Sequence, residues 1–240
     1  MTFPNRYCPK CPHYLNTDIR ACYTGCPDPA RLTNFGEPIW KIKADGFFHT
    51  GVILSDVVVF SHSSSGRKGG VTAFHLADGS TAWSYSTAHP VESALSASNG
   101  VGYFASTGFL GGDAEVFCLD SSGRVLWRKT LSSGARSYPY LDEARLILAL
   151  DDGSLAGFDR HSGSPLDIPR LSLPRGKHWL LKLDAHRLAV VSERGQITVL
   201  NLHSLSPVWM EPFSTGEEIT SPPCLLPMNP RAISTHKTRG

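Results

Sequence analysis

A tryptophan recurs through this chain at a nearly constant interval, four residues after a glycine or another turn residue. Trp40 follows Gly36, Trp83 follows Gly79, Trp127 follows Gly123 and Trp209 follows Leu205, with one interruption in which Asp167 follows Gly163. Successive last members stand 43, 44, 40 and 42 residues apart. A period of that length built from short β-rich runs is that of a propeller blade, which cannot bury both of its faces alone and must stack on neighbours. The cadence therefore limits the chain to a repeat architecture.

Each period carries the same order of events. In the first full unit, 51–54 and 57–60 are β-rich runs about the Ser55-Asp56 turn, followed by a loop over 61–70. Val71–Leu76 is the next run, Asp78-Gly79 a turn, and 80–85 the last run. The second unit repeats this with 94–104 around the hairpin signal Asn99-Gly100, then 114–119, Ser121-Ser122-Gly123 and 124–131. The third runs through 137–150, 154–159, His161-Ser162-Gly163 and 164–168. The fourth runs through 179–191, 196–202, 203–206 and 207–213. Four complete blades of four strands are expected. A fifth has only a last strand at 38–43 and a first strand at 218–226, and 228–240 lacks strand alternation and reads as a disordered tail.

The blade endings read Ala73-Phe-His75-Leu-Ala-Asp-Gly79-Ser-Thr-Ala-Trp83 and Cys118-Leu-Asp120-Ser-Ser-Gly123-Arg-Val-Leu-Trp127. The next two are Gly157-Phe-Asp159-Arg-His-Ser-Gly163-Ser-Pro-Leu-Asp167 and Val199-Leu-Asn201-Leu-His-Ser-Leu205-Ser-Pro-Val-Trp209. They resemble the PQQ-like β-propeller repeat, whose pattern is Ala-x-Asp-x-x-Thr-Gly-x-x-x-Trp, over about residues 36–227. The third copy departs by losing the tryptophan and the fourth by losing the glycine. The resemblance implies that the tryptophans dock between adjacent blades, as packing groups worth a few kcal/mol each rather than as ligand contacts. Quinoprotein dehydrogenases with this repeat use eight blades, a calcium ion and a central cofactor. Four to five blades imply the scaffold without that catalysis.

Ahead of the repeats, residues 1–35 read as a separate small module with its linker. Cys8 and Cys11 are separated by two residues, Cys22 and Cys26 by three, and ten lie between the pairs. Two thiol pairs on tight turns stiffened by Pro9, Pro12 and Gly25 suit one tetrahedral zinc ion. With so few apolar residues the segment needs a staple, and metal binding supplies folding energy. Two disulfides, an iron–sulfur cluster or free thiols are the competing assignments. Disulfides need an oxidising compartment, and the start of the chain lacks the basic-then-apolar pattern of a secretory signal. A closed shell of four thiolates keeps no open position, so the expected Zn2+ role is structural.

A net charge of +2 is too small to argue for phosphate binding. The first 43 residues hold six basic against three acidic side chains, but four thiolates around one divalent ion cut that surplus to about +1. No apolar stretch is long enough to span a bilayer, which makes the cytoplasm the expected location. Phosphate-loop, nucleophile-elbow and metalloprotease motifs are absent. Gly66-Arg67-Lys68-Gly69-Gly70 reads as a solvated hairpin and Asp151-Asp152-Gly153 as a turn. His62, His89, His178 and His186 read as scattered loop residues, and Cys118 and Cys224 as small core residues.

The expected fold is thus all-β, a propeller of four to five blades that either closes as a small ring or is completed by a partner, preceded by the zinc module. The expected function is a non-catalytic protein-interaction scaffold within a cytoplasmic assembly, with no membrane contact. The alternative is nucleic-acid binding through the zinc module, where Arg6, Lys10 and Arg20 meet phosphates and Tyr7, Tyr14 or Tyr23 stack on bases. A third class is a small-molecule sensor or degenerate enzyme using the central funnel. Elemental mass spectrometry of the purified chain should find one zinc per copy, lost in Cys8→Ser and Cys26→Ser. Retention of metal in both variants would remove the zinc assignment.

Overall fold

A computed structural model of the chain describes residues 40–42, 47–63, 68–93, 95–108, 114–225 and 233–234. The chain divides into two units, Met1–Lys41 and Ile42–Gly240. The first, with Cys8, Cys11, Cys22 and Cys26, lies outside the described residues except for Trp40 and Lys41. The second consists of antiparallel sheets formed by consecutive strands.

The first sheet is β1 (Phe47–Leu54), β2 (Val57–Ser63), β3 (Gly69–His75) and β4 (Thr81–Thr87), hydrogen-bonded in that order. The second is β5 (Ser96–Ser98), β6 (Val101–Ala105), β7 (Glu115–Asp120) and β8 (Val125–Thr130). The third has β9 (Tyr140–Leu141), β10 (Arg145–Ala149) and β11 (Leu155–Asp159). The fourth has β12 (His178–Lys182), β13 (Arg187–Ser192), β14 (Gln196–Asn201) and β15 (Phe213–Ser214). These sheets fall where the sequence places its four blades. Asn99 and Gly100 take φ of 53° and 73°, the conformation that a tight hairpin between right-twisted strands demands.

Alternation along the strands gives each sheet two packing faces. In β2, Val57, Val59 and Ser61 are buried while Val58, Phe60 and His62 are half-buried. Buried side chains gather where neighbouring blades meet. One cluster joins Val59, Val71 and Ala73 to Phe104, Phe117 and Leu119, a second joins Tyr103, Val116 and Cys118 to Leu146 and Leu148, and a third joins Ile147 and Ala149 to Leu188, Val190 and Leu200. Packing between sheets follows chain order, β1 on β5 and β6, β5 on β9 and β10 on β12, and no comparable pairing joins the fourth sheet to the first among the described residues.

The third and fourth blades depart from the expected four regular strands at their outer edges. Where 164–168 was expected to pair as a strand, a single bridge joins Phe158 to Pro165, with Leu166 N–H donating to the Gly157 carbonyl. In the fourth, expected over 207–213, a bridge joins Leu200 to Pro207, Val208 N–H donates to the Val199 carbonyl at 2.7 Å, and a paired strand resumes at β15. Pro165 and Pro207 have no N–H to give the ladder, which is why both edges stay partial. Beyond the fourth blade, β16 (Cys224–Leu225) pairs with β17 (Ile233–Ser234), inside the segment read as a tail. Trp40 to Ile42, expected at the heart of an outer strand, are not in one.

Three further expectations are corrected. His62 lies in β2 and His178 begins β12, so neither is a loop residue. Cys118 is buried as expected, its thiol pushed up to about 11 chiefly by burial, whereas Cys224 is exposed. His178 is 2% exposed with no hydrogen-bond partner on either ring nitrogen. Burial holds its pKa below the ordinary 6.5; the nearby carbonyls of Pro174 and Gly176, which make no well-formed hydrogen bond to the ring, pull more weakly the other way. The folded state therefore prefers the neutral ring, while the unfolded chain protonates at the ordinary value. Stability should be level above about pH 6.5 and fall as the pH drops towards the lowered value, by about 1.4 kcal/mol for each unit separating the two. Thermal melts of wild type and His178→Gln between pH 5 and 8 check this, and the variant should show a flatter profile over that range.

Candidate docking site between the blades

The blades are fastened by one contact used repeatedly. A register shift in β4 brings Trp83 opposite Ala73 and leaves Ala82 unpaired; the same shift in β8 brings Trp127 opposite Cys118 and leaves Leu126 unpaired. Such bulges re-aim a side chain out of the regular pleat. Trp83 lies on the turn of the second blade, its Nε1–H donating to the Ser121 carbonyl at 2.8 Å. A Cβ on Gly123 would stand 2.5 Å from the ring, and the residue has φ +83°, so only glycine fits on both counts. Trp127 repeats the contact on the third blade, donating to the Arg160 carbonyl at 3.0 Å, with a Cβ on Gly163 2.7 Å from its ring. The turns are themselves held by the acidic residue ending each strand. Asp120 Oδ1 accepts from Ser122 N–H at 3.0 Å, and Asp159 Oδ1 accepts from Ser162 N–H at 2.8 Å.

The third interface is built differently. Asp167 stands where the indole would be and is exposed. On the facing turn Leu205 replaces the glycine, keeps the left-handed backbone at φ +56° and is 2% exposed, so its side chain fills the space the ring vacates. Left-handed backbone costs a non-glycine residue about 1–2 kcal/mol, which burial of a leucine offsets. Arg145 replaces the indole N–H. Its Nη2 donates to the Leu202 carbonyl at 2.8 Å, the position equivalent to Ser121 and Arg160, and its Nη1 donates to the His203 carbonyl at 3.2 Å. Asp142 holds the guanidinium at 2.7 Å. A groove of about 680 Å³ remains between the third and fourth blades. Tyr140, Leu202 and Leu205 are its buried lining; Asp167, Lys182 and His203 are among the residues exposed along it. Tyr140 has no partner for its hydroxyl, and burial raises its pKa. Arg145 and Tyr140 were not singled out from the sequence. The available signal was that the lost tryptophan and the lost glycine fall in successive copies, at the positions that face each other.

The sequence reading assigns tryptophans to packing, and Trp83 and Trp127 do this. Trp209 does not: it is 46% exposed, in the irregular stretch between Val208, which still bonds to Val199, and β15.

A separate polar cluster joins the loops of several blades. Arg136 Nε lies 3.1 Å from Asp151 Oδ2, and Glu193 and Glu92 are near enough to raise the Asp151 pKa. Burial is the largest cause of that rise, and Arg136 opposes it. Asp151-Asp152-Gly153 is a turn as expected, with Ser154 N–H donating to Asp152 at 2.9 Å. Among the described residues no group of three His, Cys, Asp or Glu is disposed to hold a metal ion, and Cys8, Cys11, Cys22 and Cys26 lie outside them.

Meander sheets stacked face to face in chain order, each docked to the next through an outer-strand residue, define a β-propeller architecture. The family described as outer membrane protein assembly factor BamB matches residues 30–101 and 67–166, more than half of the chain, and the chain belongs to this family of PQQ-like repeats. Among solved structures it is similar to BamB from Moraxella catarrhalis (22% identity, TM-score 0.58, 74% of this chain and 52% of that one), so it spans about half the length of that relative. It is also similar to the computationally designed Ika4 protein (12% identity, TM-score 0.56, 70% of this chain and 99% of that one). The Dos1 propeller matches at 14% identity and TM-score 0.55, over 70% of this chain and 45% of that one. Among curated proteins none matches the chain.

If Leu205 replaces the missing indole, the two sites must be energetically coupled. Leu205→Gly alone should destabilise by about 2–4 kcal/mol through the cavity it opens. Asp167→Trp should rescue that loss while gaining nothing in the Leu205 background, giving a coupling of about 1–3 kcal/mol in a denaturant double-mutant cycle.

Proposed function

We propose that this chain is a non-catalytic interaction scaffold that holds a protein partner in a larger assembly through the groove between its third and fourth blades. The observation carrying this reading is the substitution of Asp167 for the indole: two interfaces are sealed by a ring, and the third is left open beside Asp167, Lys182 and His203. Propellers commonly present such inter-blade surfaces and loops to partners, because the scaffold is rigid and the loops vary. Support also comes from kinship with a family whose description names an assembly factor. The absence of motifs for phosphate, acyl-transfer or metalloprotease chemistry in the sequence is in keeping with a scaffold. The groove combines an apolar lining with both signs of charge, a mixture suited to a peptide segment rather than to a nucleic-acid backbone.

A structural zinc ion on Cys8, Cys11, Cys22 and Cys26 completes the proposal, supported by their spacing. A zinc site of reduced thiols fits the cytoplasm, and that location is part of the same reading.

Affinity purification of tagged wild type against the double variant Asp167→Lys, Lys182→Glu tests this proposal. Both side chains are exposed, so folding should be unchanged by circular dichroism. A stoichiometric protein recovered with wild type and depleted at least tenfold with the variant is the expected result. Recovery of the same protein by both, or of nucleic acid whose retention falls steeply with salt, would overturn it, the latter in favour of the nucleic-acid alternative.

A further inference from the structure

We infer that the loops at one end of the second, third and fourth blades hold a primary ammonium group, on Glu92, Asp151 and Glu193 with His178 beneath them. The setting is a contact that these blades repeat. A residue just past the second strand donates its backbone N–H to the loop leading into the same blade: Thr107 to the Pro90 carbonyl at 2.9 Å, Asp151 to Gly134 at 2.8 Å and Glu193 to Lys177 at 2.9 Å. The backbone makes this contact, so it calls for no particular side chain. Thr107 adds its hydroxyl, which donates to the same Pro90 carbonyl at 3.2 Å. Asp151 and Glu193 place carboxylates there instead, and an ionised carboxylate cannot donate to a carbonyl.

His178 is an independent sign of a ligand. The residues that follow the three accepting carbonyls are Val91, Ala135 and His178, and all three are buried. Packing is met by an apolar group in the first two copies, whereas the third encloses an imidazole with no hydrogen-bond partner on either nitrogen. Such burial is costly and serves no purpose in the repeat itself. The ring lies opposite Ser192, on the side of β12 shared with Leu180, which packs towards Ile147 and Ala149 of the third blade. Its polar neighbours are the Pro174 and Gly176 carbonyls, the Glu193 carboxylate and the Arg136 guanidinium. Glu193 lies against that same loop: a Cβ on Gly176, which has φ +127°, would overlap its Oε1. Gly176 N–H in turn donates to the Asp151 carbonyl at 2.9 Å, and a Cβ on Gly134 would stand 3.0 Å from Asp151 Oδ2. The glycines thus bring both carboxylates close to the backbone above His178.

Charge and exposure select the occupant. Three carboxylates share one guanidinium, that of Arg136, whose Nε is held by Asp151. Among the described residues no hydrogen bond or ion pair engages the carboxylates of Glu92 or Glu193. With His178 neutral, the cluster carries an excess of two negative charges and attracts a cation. Solvent reaches it, because Glu92 is exposed and the side chains of Arg136 and Asp151 are 36% and 23% exposed. The carboxylates are not grouped as metal ligands. Separate acceptors suit an ammonium, whose three N–H bonds point in different directions, and the imidazole floors the site with acceptor capacity that Val91 and Ala135 lack. A free amine and a lysine side chain of a partner protein offer this same chemistry.

Isothermal titration calorimetry of the full chain near neutral pH tests this inference, with butylammonium and N-acetyl-lysine amide as probes. Tetramethylammonium, which has the charge and no N–H, is the control. Both ammonium probes should saturate one site per chain with millimolar Kd, and tetramethylammonium should bind at least about tenfold more weakly. The double variant Glu92→Gln, Glu193→Gln should keep its circular dichroism and lose at least about tenfold in affinity. His178→Ala, which installs the residue that the third blade buries at Ala135, should fold and bind about fivefold more weakly. Tighter binding of butylammonium assigns a free amine and tighter binding of the lysine amide a partner's lysine; either order upholds the site. No saturable binding to wild type up to about 50 mM, equal affinity for tetramethylammonium, or undiminished affinity in the double variant would overturn the inference. If the double variant does not fold, undiminished affinity in His178→Ala overturns it.

Discussion

The structure depends on an indole laid flat on a glycine turn. A blade offers a rigid apolar face but little to set its angle and depth against the next; area alone would let adjacent sheets slide. The indole adds one directional hydrogen bond, Nε1–H to a backbone carbonyl, and a steric match that admits no side chain at the turn. Both parts are short-range, so they fix the relative position of two sheets far more tightly than burial does. The bulges before Trp83 and Trp127 and the carboxylates that hold the receiving turns support this contact.

Seen this way, the third interface is a repair with different parts. Removing the ring would leave a hole and an unsatisfied carbonyl, each costing a kcal/mol or more. Leu205 fills the hole from the opposite side, and Arg145 satisfies the carbonyl from a different strand. The repair restores packing at depth, near Leu205, and leaves the groove beyond it. A small departure from the repeat thereby changes a sealed seam into a surface with its own charges, which is how a structural repeat acquires a binding place without altering its fold.

The blades and their order were legible in the sequence because their causes are local. Strand alternation has period two, the turns announce themselves through Asn99-Gly100 or Ser121-Ser122-Gly123, and the tryptophan cadence counts the units. The candidate site was only half legible. Asp167 and Leu205 stood out as departures from a pattern, but Arg145 occupies no repeated position, and nothing in its neighbours along the chain says that it reaches the fourth blade. The outer edges of the third and fourth blades were misjudged because proline was counted as part of a strand, whereas Pro165 and Pro207 each reduce that strand to a bridge.

Sequence alone determined the repeat, its period and the order of the strands, since each follows from the chemistry of neighbouring residues. The tertiary structure decided which exceptions matter. That Leu205 is buried while Trp209 is exposed, that His178 is enclosed without a hydrogen bond, and that Cys118 and Cys224 differ in exposure all depend on which turn faces which blade. Facing residues lie some 36 to 40 positions apart, beyond the reach of any local preference, so only the stacking of the sheets brings them together.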